Sequence, residues 1–376
     1  MEKYVVKDGK KLKCGYTTGS CATAAAKAAA KMLLSGEVVE SSDIVTPSGV
    51  ELSLEVHDPK ISKESASCAI QKQSGDDPDI TNGVLIYATA SYCESGVEID
   101  GGKGVGRVTQ PGLDQPVGNA AINSTPRRTI TEAVEAVMEE HSYRKGIRII
   151  ISIPQGEELA KKTFNPRMGI VGGISVVGTT GIVDPMSTKA LVDTIKVELS
   201  QIAAGGTQNL VIVPGNYGEK YSREVLKLNV PHMVESANYI GDTLDLAFQF
   251  GFKNILLVAH IGKLVKLGIG MTNTHSGNGD GRIETLMMCA LKAGGDYETL
   301  KEISDCVTTD AVLNILKENN ILEGTFAVLR EKVADCLNRR TPMGVNLGFV
   351  CFTNTGGFGE ILFSSDNAEE LMNIWR

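Results

Sequence analysis

The first part of the chain alternates hydrophobic and polar residues, as half-buried strands do. In residues 50–56 every second residue is valine or leucine, and glutamate or serine lies between them. Similar strands are predicted at residues 66–71 and 84–91, separated by a turn-rich stretch at residues 74–79. Because such alternation is typical of sheets with one solvated face, the pattern predicts a largely antiparallel sheet.

Beyond about Gly146 the hydrophobic residues instead form short continuous runs that are rich in β-branched side chains. These runs lie at residues 147–153, 174–177, 210–213 and 255–259. The helices between them are predicted at residues 157–163, 187–203, 219–227 and 242–250. Continuous runs of this length are typical of strands buried on both faces of a parallel sheet, so this part predicts a Rossmann-like arrangement.

The remainder is predicted to be helical over residues 296–339, followed by a strand at 345–352 and a helix at 368–375. A chain of 376 residues is longer than one hydrophobic core usually supports. We therefore predict an α/β protein of two domains. Residues 1–145 form an N-terminal α+β domain with a mainly antiparallel sheet. Residues 146–376 form a Rossmann-like parallel α/β domain that includes the helical segment 296–339.

Two helices have clear start signals. An alanine-rich stretch at residues 22–30 has the highest intrinsic helix propensity, and Thr18 or Ser20 is expected to be its N-cap. A second helix is expected to begin at Thr125, whose hydroxyl group precedes Pro126 at the first helical position.

Composition narrows the range of functions. The net charge of −8 disfavours general binding of nucleic acid, and no stretch is apolar enough to cross a bilayer. The polar, lysine-rich residues 1–13 lack the apolar core of a secretory signal, so a cytoplasmic location is expected. The eight cysteines are scattered without a C-x-x-C pair, which favours reduced thiols over a zinc site or disulfide scaffold.

Glycine-rich and hydroxyl-rich loops in the first domain are candidate anion sites. Thr17, Thr18 and Ser20 lie at the head of the alanine-rich helix, where free N–H groups and the helix dipole favour anions; plain helix capping is the alternative. Lys103 and Arg107 lie in a glycine-dense loop that a ligand can approach closely, although a solvated hairpin tip has the same composition.

Two further loops have the same character. Arg127 and Arg128 lie in the first turn of a helix, where cations oppose the helix dipole; an anionic partner would explain them, as would two side chains lying over the surface. The other loop contains Gly178, Thr179, Thr180, Gly181 and Asp184, and it follows a predicted parallel strand as ligand-binding loops of open α/β sheets do. Its spacing is not G-x-G-x-x-G, so dinucleotide binding is not indicated.

The densest group of reactive side chains follows the predicted strand at 255–259. It contains His260, Lys263, Lys266 and His275, and histidine is well suited to move a proton near neutral pH. Either histidine could instead have a purely structural role. The sequence has no G-x-S-x-G elbow, no recognisable cysteine nucleophile and no metal-binding H-E-x-x-H spacing.

Five ordered blocks of sequence resemble the CbiD family. They are the stretch Gly15-Tyr-Thr-Thr-Gly-Ser-Cys21, the stretch Gly104-Val-Gly-Arg-Val-Thr-Gln-Pro-Gly112, the stretch Asn123-Ser-Thr-Pro-Arg127, the stretch Gly178-Thr-Thr-Gly-Ile-Val-Asp-Pro185, and Gly262-Lys-Leu-Val-Lys266 followed by Thr274-His-Ser276. The resemblance implies two unlike α/β domains and methyl transfer from S-adenosylmethionine to C1 of cobalt-precorrin-5B, which gives cobalt-precorrin-6A in anaerobic cobalamin biosynthesis. It also implies that cobalt arrives within the substrate, so no protein metal site is expected.

Combining the resemblance with the loops assigns hypothetical roles. S-adenosylmethionine is expected to contact Gly178, Thr179, Thr180, Gly181 and Asp184. The ring carboxylates are expected to contact Thr17, Thr18, Ser20, Lys103, Arg107, Arg127, Lys263 and Lys266. His275 is the candidate proton acceptor or ring-orienting group, and His260 is the second catalytic candidate.

The expected partner is a small tetrapyrrole, with a homo-oligomer or transient contacts with other corrin-pathway enzymes also open. A phosphate- or nucleotide-handling enzyme and a non-catalytic tetrapyrrole-binding protein are the rival functions. The Walker spacing that the first rival would need is missing from the sequence.

Overall fold

The computed structural model describes residues 3–7, 9–163, 165–166, 168–354, 359 and 361–376. The chain divides into two compact units, residues 1–188 and residues 189–376, and each unit has its own hydrophobic core. Of the N-terminal stretch discussed above, Met1, Glu2 and Asp8 lie outside the described residues.

The described residues of the first unit form short and long strands and three helices. Its strands are β1 (Tyr4–Lys7), β2 (Lys10–Lys13), β3 (Gly15–Tyr16), β4 (Ser41–Val45), β5 (Glu51–Ile61), β6 (Ser65–Gln71), β7 (Leu85–Cys93), β8 (Val97–Gly101), β9 (Gly104–Val105), β10 (Arg107–Val108), β11 (Gly146–Ser152), β12 (Ile170–Val171), β13 (Gly173–Ile174) and β14 (Ile182–Val183). Its helices are α1 (Thr18–Ser35), α2 (Ser124–Glu140) and α3 (Gly156–Ala160).

The main sheet of this unit has the strand order β4-β5-β6-β7-β11-β8. Neighbours from β4 to β11 are antiparallel, and only the pair β11 and β8 is parallel. The strands predicted at residues 50–56, 66–71 and 84–91 are confirmed as parts of β5, β6 and β7.

Helix α1 packs against β6 and β7 of this sheet and against α2. Its alanines at positions 22, 24–26 and 28–30 are at most 1% exposed. Side chains this small let the helix approach both neighbours closely, so the alanine run serves packing as well as helix propensity.

The N-caps of both helices lie one to three residues before the predicted ones. The N-cap of α1 is Thr17, whose Oγ1 accepts the N–H of Ser20, rather than Thr18 or Ser20. Helix α2 begins at Ser124 after the N-cap Asn123, so Thr125 is not the cap. Asp114 explains the earlier start, because its carboxylate accepts the backbone N–H of Ser124 at 2.5 Å.

The division of the chain also differs from the predicted boundary at residue 146. The run predicted at residues 147–153 forms β11, which pairs with β7 and β8 in the first unit rather than with a parallel sheet in the second. The run at 174–177 contributes only to β13, which pairs with β9. In the run at 147–153 only alternate residues are buried, because Arg148 is exposed and Ile150 and Ser152 are half-buried. Val177 at the end of the second run is exposed as well. Hydrophobic composition alone does not distinguish a central antiparallel strand from a parallel one.

The second unit has one sheet and many helices. Its strands are β15 (Asn209–Val213), β16 (Val234–Glu235), β17 (Asn254–His260), β18 (Asn346–Phe352) and β19 (Ile361–Ser364). Its helices are α4 (Thr188–Ala204), which starts at the last residue of the first unit, α5 (Asn216–Glu224), α6 (Ile240–Gln249), α7 (Ile261–Leu267), α8 (Arg282–Lys292), α9 (Tyr297–Ser304), α10 (Thr309–Glu318), α11 (Leu322–Asn338) and α12 (Ala368–Asn373).

The strand order of this sheet is β16-β15-β17-β18-β19, with all pairs parallel except β18 and β19. Alternate residues of β15 belong to two different hydrophobic clusters, so both faces of the sheet are covered. The strands predicted at 210–213, 255–259 and 345–352 and the helical character of 296–339 are confirmed. A mixed α/β fold is therefore confirmed, whereas the predicted helix at 157–163 is only the short α3.

Within the described part of the chain, no helix combines the length and hydrophobicity that crossing a membrane would require.

Candidate functional site

The loop at residues 177–184 and the N-terminus of α1 pack tightly against each other within the first unit. A Cβ atom built on Gly178 would lie 2.2 Å from Thr17 Oγ1, so only glycine fits there. The Ser20 hydroxyl donates to the Gly181 carbonyl at 2.7 Å. The structure thus brings predicted donor-binding residues next to predicted substrate-binding residues, but the loop lies in the first unit and follows no strand of the parallel sheet.

These groups already satisfy one another. The N–H of Gly19 donates to the Val177 carbonyl at 2.9 Å, and the N–H of Ser20 donates to Thr17 Oγ1 at 3.2 Å. The Thr18 hydroxyl donates to the Val177 carbonyl and accepts the Val177 N–H. A cavity beside them has a volume of only about 10 Å³, roughly enough for one water molecule. Capping and loop packing therefore account for most of the polar groups at the head of α1.

The outer rim of this loop remains open. Thr179, Thr180 and Asp184 are exposed. The Thr180 hydroxyl donates to the Ile182 carbonyl at 3.0 Å, and Asp184 Oδ1 lies 3.5 Å from the sulfur of Cys14. Partial burial and the neighbouring Asp184 carboxylate raise the pKa of the Cys14 thiol, which favours the thiol as a donor.

The predicted ring-binding cations have different surroundings. Arg107 makes a bidentate ion pair with Asp100 at 2.7 and 2.9 Å, and its hydrogen bonds lower the pKa of that carboxyl group. Lys103 is exposed, and its ammonium group has no ion-pair or hydrogen-bond partner among the described residues. Of the two, only Lys103 has an uncommitted positive charge.

The hydrogen-bond donors of Arg127 are used by backbone carbonyls. Its guanidinium donates to the carbonyls of Ile122 at 2.9 Å, Ile99 at 3.1 Å and Ala120 at 3.4 Å. Burial lowers the pKa of Arg127, an effect that nearby carboxylates partly oppose. The side chain therefore ties α2 to β8 and to the loop before α2.

The start of α2 has an anionic partner from the chain itself. Asp114 accepts both the N–H and the hydroxyl of Ser124. Arg128 makes an exposed ion pair with Glu132 at 3.3 Å. Neither arginine of this turn therefore needs an external anion.

A different crevice is defined by the sheet of the second unit. The chain passes from β15 to β16 on one side and then returns to β17 on the other side. Open α/β sheets bind ligands at the carboxyl ends of the two strands where the winding direction reverses. In this protein those strands are β15 and β17, and the residues at their carboxyl ends are Pro214 and His260 to Gly262.

Helix α5 approaches this edge closely because of Gly218. A Cβ atom there would lie 2.9 Å from the Val258 carbonyl and 3.0 Å from Val213 Cβ. The loop before α5 contains Gly215, and a Cβ atom built on Gly215 would lie 3.8 Å from Glu235 Oε1. A glycine backbone and an exposed carboxylate therefore face each other at the ends of β15 and β16.

Lys263 and Lys266 hold the loops of the crevice together. Lys263 Nζ donates to the carbonyls of Pro214 at 2.5 Å and Ala237 at 2.9 Å, which joins the loops after β15 and β16. Burial lowers the pKa of Lys263, and the charge of Glu235 partly offsets this effect. Both carbonyls follow strand ends, so the lysine fixes the shape of the edge.

Lys266 does the same for the loop at 274–280. It is 3% exposed, and its Nζ donates to the carbonyls of Thr274 at 3.1 Å and Gly279 at 3.0 Å. Asp280 Oδ1 lies 3.8 Å from the same nitrogen. The sequence predicted both lysines as substrate ligands, whereas their donors are largely used by the protein backbone.

The two candidate histidines share one local arrangement. His260 is the N-cap of α7, and its Nδ1 accepts the N–H of Gly262 at 3.1 Å. His275 caps a short 3-10 helix, Ser276–Asn278, and its Nδ1 accepts the N–H of Gly277 at 3.0 Å. A ring nitrogen that accepts a hydrogen bond carries no proton, so each neutral imidazole has its proton on Nε2. Both side chains are therefore N–H donors in this form.

Burial lowers the pKa of His260, although the charge of Asp310 partly opposes it. His260 also contacts Phe352 edge-on, with 5.6 Å between the ring centres. His275 is exposed. A neutral His260 wedged beside an aromatic ring is therefore suited to donate one hydrogen bond, and His275 is the more accessible of the two.

A cavity of about 360 Å³ opens beside His275 in the second unit. Its lining is polar and consists of Asn238, Gly262, Lys266, Thr274, His275, Ser276, Asp280 and Arg282. Gly262 follows β17 and Asn238 follows β16, so the cavity lies at the carboxyl edge of the sheet. Two of the predicted residues, Lys266 and His275, thus meet at one opening large enough for a small molecule.

Sequence reasoning missed Gly215, Glu235, Asn238 and Arg282. The signal for Gly215 was present, because Pro214 and Gly215 directly follow the strand predicted at residues 210–213. Glu235 gave no signal, since β16 has only two residues and forms no hydrophobic run. Asn238 and Arg282 reach the cavity through the fold of two loops, which no local pattern predicts.

Comparison with known proteins assigns the chain to a family. The family model described as CbiD matches residues 5–185, and the model described as CbiD, C-terminal domain, matches residues 273–363. A protein of Ruminiclostridium cellulolyticum is 43% identical over 94% of this chain and 92% of its own length. This chain is a member of the CbiD family.

Other CbiD relatives are similar over comparable lengths. A protein of Alkaliphilus metalliredigens is 41% identical over 100% of this chain and 98% of its own, and one of Alkaliphilus oremlandii is 48% identical over 84% and 87%. All three are named cobalt-precorrin-5B C(1)-methyltransferase. The crystal structure of a cobalamin biosynthesis protein, CbiD of Archaeoglobus fulgidus, is 30% identical over 74% of this chain and 87% of its own, with a TM-score of 0.40.

The family resemblance stated from the five sequence blocks is therefore confirmed. Four of the blocks lie within or at the edge of residues 5–185, and the last block ends inside the C-terminal match.

Within the described residues, no group of three or more histidine, cysteine, aspartate or glutamate side chains is arranged to hold a metal ion.

Proposed function

We propose that this protein transfers a methyl group from S-adenosylmethionine to C1 of cobalt-precorrin-5B, giving cobalt-precorrin-6A in anaerobic cobalamin biosynthesis. The observation that carries the proposal is the identity of 41–48% to relatives named for this reaction, over most of both chains. Cobalt belongs to the substrate in this reaction. No separate observation favours a phosphate-handling enzyme or a tetrapyrrole carrier.

The reaction asks little of protein side chains beyond positioning. The S–CH₃ bond of the sulfonium breaks, a C–C bond forms at C1, and the sulfur keeps the electron pair of the broken bond. Holding the two reactants in line can supply about 7–11 kcal/mol of the barrier reduction. What the chain must provide is a rigid donor site and an oriented ring.

The donor site belongs in the crevice of the second unit. It lies where the winding of the sheet reverses, and Glu235 is positioned to accept hydrogen bonds from the ribose hydroxyls of a nucleoside beside Gly215. Lys263 supports this placement, because it fixes the loops after β15 and β16 in one geometry. The donor contacts expected from sequence at Gly178 to Gly181 have less support, since that loop is packed on α1.

The ring carboxylates need exposed cations or N–H donors. Lys103 supplies an uncommitted charge, and Arg107 can exchange its exposed partner Asp100 for a substrate carboxylate. In the second unit, His260 and His275 supply Nε2–H donors that orient a bound ligand, so of the two roles expected at His275 the orienting one has more support than the proton acceptor. A cytoplasmic location and self-association or transient contact with other enzymes of the pathway remain predictions.

A labelling experiment tests the reaction. The purified protein is incubated with cobalt-precorrin-5B and S-adenosylmethionine that carries an isotopic label in its methyl group. The product should gain the mass of one labelled methyl group, and NMR should place the label at C1. Label at another ring carbon would change the assigned position. Binding of the ring without any transfer, in the presence of the donor, would favour the carrier function.

A further inference from the structure

The cavity of the second unit carries charges of both signs at its wall. Asp280 accepts hydrogen bonds from the Arg282 guanidinium at 2.5 and 2.7 Å. Lys266 adds a second positive charge at the base, 3.8 Å from the same carboxylate and almost fully buried. His275 contributes an Nε2–H donor at the rim. Hydrogen bonds from Arg282, outweighing partial burial, lower the pKa of Asp280, so the carboxylate is ionised at neutral pH.

This combination selects against simple anions. An acetate, propionate or phosphate group that approached Arg282 would also approach the Asp280 carboxylate, and like charges in contact repel. A ligand end that carries an ammonium group and a carboxylate on one carbon has the complementary pattern. Its ammonium pairs with Asp280 while its carboxylate pairs with Arg282 and accepts from His275 Nε2–H.

We infer that this cavity binds the α-amino-carboxylate end of the methyl donor, an inference that rests on the proposed function. The volume of about 360 Å³ exceeds the needs of a single carboxylate, so the cavity has room for more of the donor than its charged end. The cavity also borders Gly262 at the end of β17, on the carboxyl edge that carries Gly215 and Glu235. The charged end and the nucleoside of one ligand therefore occupy one edge of the sheet.

Breaking the Asp280–Arg282 ion pair to admit the ligand costs little free energy. The side chains of Asp280 and Arg282 are 51% and 31% exposed, and exposed pairs of this type contribute little to stability. Lys266 stays in place, because its donors are held by the carbonyls of Thr274 and Gly279. The cavity thus has a fixed positive charge at Lys266 and a movable ion pair, Asp280 and Arg282, at its opening.

Two nucleoside probes test the inference. S-adenosylhomocysteine contains the α-amino-carboxylate, whereas methylthioadenosine has the same nucleoside and thioether without it. Calorimetry would measure both affinities for the full-length protein and for the variants Asp280→Asn and Arg282→Met. Each variant should lower the affinity for S-adenosylhomocysteine by about 10- to 100-fold, which is the effect of losing a charged hydrogen bond. The affinity for methylthioadenosine should fall by less than about twofold.

The chain offers a matched control in the Arg330–Asp366 ion pair of the same unit, which lies outside the cavity. Arg330→Met and Asp366→Asn should leave both affinities at the native value. Retained binding of methylthioadenosine shows that Asp280→Asn and Arg282→Met are folded. Equal losses of both probes, or no loss of either, would overturn the inference while leaving methyl transfer by the native protein intact. Failure of the native protein to bind either probe would overturn it together with the donor assignment.

Discussion

The Nδ1 atom of His275 accepts a hydrogen bond from the backbone N–H of Gly277 at 3.0 Å. Since an accepting nitrogen is unprotonated, the neutral ring carries its proton on Nε2 and donates from there. The same holds for His260 and Gly262. This geometry favours substrate orientation over proton abstraction, and it gives both histidines a second task as helix caps.

Replacing His275 separates these two tasks. Asparagine keeps an oxygen acceptor for the Gly277 N–H and replaces the imidazole Nε2–H by the amide of a shorter side chain, whereas alanine removes both the acceptor and the donor. We expect His275→Asn to retain native thermal stability and both variants to lower the single-turnover methylation rate by about tenfold, the effect of one lost hydrogen bond. Unchanged methylation in both variants would show that His275 has no role in the reaction.

Arg127 is expected to stabilise the first unit. Arg127→Ala removes a donor from three backbone carbonyls, of which that of Ala120 still accepts the Ile122 N–H at 2.7 Å. The loss should lower the free energy of unfolding by about 2–4 kcal/mol in urea titrations. Arg128→Ala, which removes only an exposed ion pair, is the control and should change it by less than about 1 kcal/mol. Weaker tetrapyrrole binding by Arg127→Ala at native stability would restore the role expected from the sequence.

A buried ion pair should make the first unit sensitive to acid. Lys72 is 2% exposed and donates to Asp79 and to Ser74. Burial raises the pKa of Asp79, but the charge and hydrogen bond of Lys72 and hydrogen bonds from Thr81 outweigh it, so the pKa lies below its ordinary value. A lowered pKa contributes stability above the ordinary carboxyl pKa, and that contribution is lost as the pH falls through the folded-state value.

The variant Lys72→Met should therefore cost about 3–5 kcal/mol at neutral pH, because an uncompensated carboxylate stays partly buried. Its unfolding free energy should also rise less steeply with pH in the acidic range than that of the native protein. The exposed pair of Lys31 and Glu140 provides the control, and Lys31→Met should leave both quantities nearly native. Identical pH profiles for the native protein and Lys72→Met would contradict the assigned role of this pair.

The sequence predicted the positions of the strands better than it predicted which strands pair with each other. Alternation correctly gave β5, β6 and β7, and continuous runs gave β15, β17 and β18. The run at 147–153 was placed in the wrong sheet, because its isoleucines make this antiparallel strand as hydrophobic in sequence as a parallel one, although only alternate residues are fully buried. Strand pairing depends on contacts that are distant in sequence.

The candidate site shows the same limit. Arg107, Arg127 and Lys266 were predicted to bind substrate carboxylates, but their partners Asp100, the Ile99 carbonyl and the Thr274 carbonyl depend on the three-dimensional arrangement. Composition predicts that a charge needs a partner. It does not distinguish a partner within the chain from a ligand.

Amide hydrogen exchange of the protein in the presence of S-adenosylhomocysteine tests most directly where the methyl donor binds. Mass spectrometry would compare amide exchange with and without this ligand across peptides of both units. A donor site in the second unit predicts slower exchange at residues 214–218, 235–238, 260–263 and 274–282, and unchanged exchange at residues 177–184. Protection confined to residues 177–184 would contradict this account and support the donor site first expected from the sequence.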